Sequence, residues 1–68
     1  MDKEKFIKLI NKTLNSKYNE NSIFNPDSFD MLKIVEMNDK FFKKKKINFE
    51  KILECKNIKN LIKIYNIK

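Results

Sequence analysis

The sequence predicts an all-α fold, a small bundle of four helices with a long first connection and a short third helix. Three observations predict it. Apolar residues recur at three- and four-residue spacing, most clearly at Ile58, Leu61, Ile62 and Tyr65. A capping residue stands ahead of each such stretch, at Asp2, Asp27, Asn48 and Asn57. No stretch alternates apolar and polar residues for long enough to make a strand. The 68 residues form one domain, 1–68. A domain near this size buries only roughly 60% of its unfolded surface and has little room for a deep catalytic cleft.

Taken in order, Asp2 caps a first helix whose stripe is Phe6, Ile7, Leu9, Ile10 and Leu14, and Asn15-Ser16 ends it. Residues 15–27 are a long connection, with Tyr18, Ile23 and Phe24 expected to anchor it to the core. Glycine is absent altogether, so asparagine must supply any left-handed backbone position. The second helix is expected from about Ser28 to Phe42. Pro26 turns the chain into it, Asp27 is the N-cap, and Asp30 stands where a capping-box acid belongs. Ser28 falls in its exposed first turn. At about 100° per residue, Met31, Ile34, Val35 and Phe42 gather on one face, with Phe41 at its margin. Phe29, Lys33, Glu36 and Lys40 gather on the other, with Leu32 beside them. A short third helix contains Phe49, Ile52 and Leu53, and Asn57 caps the fourth. The predicted core includes Phe6, Ile10, Ile34, Val35, Phe42, Ile58 and Ile62.

Composition excludes several chemistries. There is no histidine, the commonest general base, and Cys55 is the only cysteine, so neither an intrachain disulfide nor a cysteine-based zinc site can form. Cys55 reads as a small, partly buried apolar side chain, and a lone thiol fits a reducing compartment. No apolar run approaches the roughly 20 residues of a membrane span, and Met1-Asp2-Lys3-Glu4 begins no secretory signal. The expectation is a soluble, cytoplasmic monomer. The formal charge of +7 is unevenly spread: residues 27–39 hold four acids and one lysine, while residues 40–46 hold five lysines and no acid. Lys43 to Lys46 read as a solvated helix end complementing the helix dipole. Every basic residue is lysine, and a Lys-, Asn- and Ile-rich composition drift would produce the same excess.

The Asp27-Ser28 pair at the start of the second helix resembles the acyl and peptidyl carrier proteins. That family is a small four-helix bundle whose serine, in such a pair, receives a 4′-phosphopantetheine arm. The resemblance runs from Phe6 to Tyr65. Phe24 falls at a buried loop position ahead of the serine, Ile34, Val35 and Phe42 on second-helix core positions, and Ile47, Ile58, Ile62 and Ile64-Tyr65 on the later ones. Asp30 is similar to an acid used in recognition by the transferase. The chain departs from the family in having Asn25 and Pro26 where glycine usually precedes the pair. It also has Lys33 and Lys40 on a face that is usually acidic, Asn38 at a usually apolar position, and a basic chain overall.

The resemblance implies a stand-alone carrier that performs no bond chemistry. Ser28 would hold the arm, with Asp27 and Asp30 beside it, and the arm's thiol would hold an acyl, aminoacyl or peptidyl cargo as a thioester. No resident metal is implied, although two carboxylates beside the serine suit a transient Mg²⁺ during transfer. Without a neighbouring base, Ser28 is a substrate of another enzyme rather than a self-activated nucleophile. The implied partners are a phosphopantetheinyl transferase, a loading enzyme and downstream biosynthetic enzymes, docking on Phe29, Leu32, Lys33, Glu36 and Lys40. Two other readings stand beside this one. The first is a small basic helical nucleic-acid-binding protein using Lys43 to Lys46 and the basic fourth helix. It lacks arginine for bidentate base contacts and any basic-aromatic sheet face. The second is an unmodified helical interaction module in which Asp27-Ser28 is only a helix cap.

Overall fold

Each helix in the computed structural model, which describes residues 1–45 and 47–67, begins at the cap expected from sequence. Helix α1 (Lys3–Leu14) follows Asp2, whose Oδ1 accepts the Lys5 N–H at 2.8 Å. Helix α2 (Ser28–Phe41) follows Asp27. Helix α3 (Phe49–Glu54) follows Asn48, which accepts the Glu50 N–H at 2.9 Å. Helix α4 (Ile58–Ile64) follows Asn57, which accepts the Asn60 N–H at 2.8 Å. Side-chain oxygens thus satisfy amides that the helix itself leaves without partners. Asparagine also supplies the left-handed positions, as expected: Asn15 ends α1 at φ 53° and Asn66 follows α4 at φ 55°. Among the described residues the only bridge of β type is the isolated antiparallel pair Ile23 and Asn57.

Helix α1 packs chiefly against α2, and α4 closes over α1 and α3. Between them lies one apolar cluster, with Phe6, Ile10, Ile34, Ile52, Ile58, Leu61 and Tyr65 fully enclosed. Its centre is aromatic. Phe6 meets Phe42 edge-on at 6.1 Å between centroids, and Tyr65 lies 4.9 Å from Phe6 and 5.0 Å from Phe42. Such pairs contribute about 0.5–1.5 kcal/mol beyond the area they bury. All four residues of the α4 stripe, Ile58, Leu61, Ile62 and Tyr65, are buried.

The long first connection is folded onto the body by polar contacts as well as apolar ones. The Asn11 side chain clamps the Tyr18 backbone, donating to its carbonyl at 2.9 Å and accepting its N–H at 2.7 Å. Further on, the Phe24 N–H donates to the Lys56 carbonyl at 2.9 Å, and the Ile58 N–H donates to the Ser22 carbonyl at 3.0 Å. Phe24 is buried, and Tyr18 packs edge-on against it at 5.7 Å. Ile23, expected as a third anchor, is 78% exposed. Successive side chains of an extended segment point to opposite sides, so seating Phe24 in the core turns Ile23 to solvent.

The buried face of α2 also differs from expectation. Val35, expected in the core, is 45% exposed, whereas Met37 is buried with Met31 and Ile34. The core face is therefore turned by about 50° toward the Lys33 edge of the helix. Because α1 lies along that edge, Met37 is covered, and Val35 borders an open depression beside Asp39, Lys43 and Ile47. Phe42 is buried as expected, but as the residue that ends α2 rather than as part of it. In α3 only Ile52 is buried, while Phe49 and Leu53 are exposed.

Candidate functional site

The mouth of α2 is built by a complete capping box. Asp27 Oδ1 accepts the Asp30 N–H at 2.8 Å, and Asp30 Oδ2 accepts the Asp27 N–H at 3.4 Å, the longer and weaker half. The Asp27 carbonyl takes the Met31 N–H at 3.0 Å. These bonds use one oxygen of each carboxylate and leave Oδ2 of Asp27 and Oδ1 of Asp30. Ser28, the first residue of the helix, is exposed, and its hydroxyl has no part in the cap. The amides of Ser28 and Phe29 stand in the first turn, where a helix has no partner of its own for them.

A residue outside the sequence-predicted site belongs to its surroundings. The field of Asp30 and then Asp27 reaches the Tyr18 phenol. Burial first, and these two carboxylates after it, push its pKa above the ordinary value. Tyr18 packs on Phe24, three residues ahead of Asp27, so the folded connection holds it near the α2 mouth. The signal in sequence was the position of Tyr18 in a connection rich in large apolar groups, which marked it as an anchor but not as a neighbour of Ser28.

The remaining predicted residues divide into two sets. Phe29 and Leu32 are 72% and 64% exposed. Lys33, Glu36 and Lys40 are exposed too, but they also wall a surface groove of about 480 Å³ against Leu9 and Lys12 of α1, with Met37 between. Of the predicted docking residues, Lys33, Glu36 and Lys40 thus lie on a surface shared with α1, and Phe29 and Leu32 lie outside that groove.

Of the lysine run, Lys46 lies outside the described residues. Lys43 to Lys45 follow the end of α2 in a turn, and Lys40 is the basic residue of its last turn. Lys45 does not complement α2. Its Nζ donates to the Tyr65 carbonyl at the end of α4, 2.6 Å away, and lies 5.9 Å from the Phe42 ring centroid. Cys55 is buried, and burial, followed by the Glu54 charge, pushes its thiol pKa up, which disfavours the reactive thiolate. No family model, curated protein or solved structure matches the chain, and the reading of the site rests on its own residues.

Proposed function

We propose that the chain is a stand-alone carrier protein of the acyl or peptidyl carrier type, bearing a 4′-phosphopantetheine arm on Ser28. One observation carries the reading. Asp27 and Asp30 complete the helix cap between themselves, so the adjacent Ser28 hydroxyl is exposed and has no structural duty. In the alternative where the pair is merely a cap, the Ser28 hydroxyl is superfluous, because the carboxylates of Asp27 and Asp30 make the cap by themselves.

The residues at the α2 mouth fit such a group. A phosphodiester on Ser28 would meet the unpartnered amides and positive end of a helix of 14 residues. The free oxygens of Asp27 and Asp30 oppose a bare phosphate but would hold a hydrated Mg²⁺ while the transferase acts. The arm supplies a thiol that forms a thioester with the cargo. Ser28 anchors it, Asp30 serves recognition by the transferase, and Phe29, Leu32, Lys33, Glu36 and Lys40 present a docking surface to loading and downstream enzymes. The carrier itself catalyses nothing; cytoplasmic biosynthesis with an acyl or aminoacyl cargo is the setting this reading implies. Four helices, a long connection before the second and a short third helix accord with the bundle of that family.

The test is intact mass after incubation with broad-specificity phosphopantetheinyl transferases and coenzyme A. The expected result is one added arm on the wild type and none on Ser28→Ala. An unchanged wild-type mass with every transferase tried would sink the proposal.

A further inference from the structure

The opposite end of α2 carries a second surface. Helix α2 spans about 20 Å from Ser28 to its last turn. There Phe41 is 57% exposed, although it directly follows Lys40 and directly precedes the buried Phe42. Two surface depressions flank it. One is bordered by Lys40, Lys43, Lys44 and Lys45. The other, about 410 Å³, joins Phe41 to Met1, which is equally exposed, and to the half-buried Ile67. Three apolar side chains from the chain's two ends and from the end of α2 therefore meet at one tip, edged by four lysines. The acids nearby are Asp39, which borders the neighbouring depression with Lys43 and Lys45, and the exposed Asp2, which follows Met1 and caps α1 through one carboxylate oxygen. Lys45 commits a hydrogen bond to the Tyr65 carbonyl.

We propose that this tip binds the surface of a bilayer containing anionic lipid, with Phe41 and Met1 entering the interface and Lys40, Lys43 and Lys44 contacting headgroup phosphates and carboxylates. Apolar side chains ringed by lysine are what such a boundary selects. The lysines gain from the negative surface potential, and the apolar groups gain from leaving water. A nucleic acid would use the charge but not Met1 or Ile67, which have no ring to stack on a base. No helix of the described residues is long and apolar enough to cross a membrane, so the contact is peripheral. Seated this way, the protein would hold the α2 mouth away from the lipid. The inference stands whether or not Ser28 is modified.

Vesicle flotation tests it, using phosphatidylcholine alone, phosphatidylcholine with phosphatidylserine, and mixed-sequence RNA as competitor. The chain has no tryptophan, so Phe41→Trp introduces a single fluorescent reporter at an exposed site. Expected are partition onto the phosphatidylserine vesicles only, weakening with salt, and a blue shift of the reporter on binding. At about fivefold per lysine near the surface, Lys43→Glu/Lys44→Glu should reduce partition by at least about tenfold. Phe41→Ser should reduce it several-fold with helical circular dichroism unchanged. The proposal is overturned if the chain fails to partition onto anionic vesicles at low salt, or if it partitions equally onto neutral ones. An unshifted reporter on bound protein overturns it as well. RNA displacing the protein from vesicles, with Phe41→Ser binding RNA as the wild type does, assigns the lysines to nucleic acid instead.

Discussion

The Tyr65 phenol, at the end of α4, donates a hydrogen bond of 2.5 Å to the side-chain oxygen of Asn38 in α2. This one contact gives a polar group at a core-facing position of α2 its reason. Tyr65 is fully buried among Phe6 and Phe42, and its hydroxyl needs an acceptor there. Asn38 supplies it from the half-buried edge of the core.

Removing one partner should therefore cost more than removing both. Asn38→Leu strands a buried hydroxyl and is expected to lose about 1–3 kcal/mol, whereas Tyr65→Phe loses about 0.5–1.5 kcal/mol. Asn38→Leu in the Tyr65→Phe background should be near neutral. Urea unfolding of the four proteins measures the coupling, and additive losses would show that the bond contributes nothing.

The same phenol predicts an alkaline instability. Burial, assisted by Cys55, pushes the Tyr65 pKa from 10.0 up to about 12. The folded state then keeps a proton that the unfolded chain releases first, so stability is full below about pH 10 and falls as pH rises toward about 12. Tyr65→Phe should show a shallower decline over that window. Equal slopes for the two proteins would exclude the phenol as the cause.

The turned face of α2 predicts which substitutions matter. Ile62→Ala, at a buried position, should cost about 2–5 kcal/mol and threatens folding of so small a domain. Val35→Ala, at an exposed one, should change stability by no more than about 0.5 kcal/mol. Thermal unfolding separates the two, and a large loss at Val35 would restore it to the core.

At the α2 mouth, stability and loading should separate. Asp27→Ala removes the stronger half of the cap and should cost about 0.5–2 kcal/mol. Ser28→Ala should leave stability unchanged while abolishing arm addition. Asp30→Ala breaks only the 3.4 Å half of the box and should change stability little, yet slow addition by removing the carboxylate that serves recognition. Transferase kinetics at a temperature where all three variants are folded provide the readout. Normal addition to Asp30→Ala would remove that residue from recognition.

Partner choice follows from Lys33 and Lys40, which wall the groove beside α1 with Glu36. A partner that reads acidic carriers through its own basic residues would meet like charges. A dedicated partner is expected to combine acidic groups with an apolar pocket for Phe29 or Leu32. Exposed charge pairs contribute only about 0–1 kcal/mol each, so the apolar contacts should supply most of the affinity. Phe29→Ala should weaken loading by the cognate enzyme, and Lys33→Glu/Lys40→Glu should shift preference toward an enzyme specific for acidic carriers. Unchanged loading by both enzymes after charge reversal would move the docking surface elsewhere.

The helix starts were legible in the sequence because a cap is local. Asp2, Asp27, Asn48 and Asn57 each bond an amide two or three residues ahead, and Asn15 takes a left-handed turn that needs no distant partner. The α4 stripe was legible for a related reason, since all four of its apolar positions lie on one side and bury together. The pattern on α2 was broader, with Met31, Ile34, Val35, Met37 and Phe42 spread over more than one face, and local spacing could not select among them. The approach of α1 selected, covering Met37 and leaving Val35 outside. The first connection and the lysine run were decided in the same way. Ile23 and Phe24 are equivalent as apolar residues until the backbone bond from Phe24 to Lys56 sends one inward. Lys45 is one of four identical charges until the chain brings the Tyr65 carbonyl to it. Contacts between residues far apart in the chain arise only when helices pack, and a one-dimensional pattern carries no record of which neighbour will arrive.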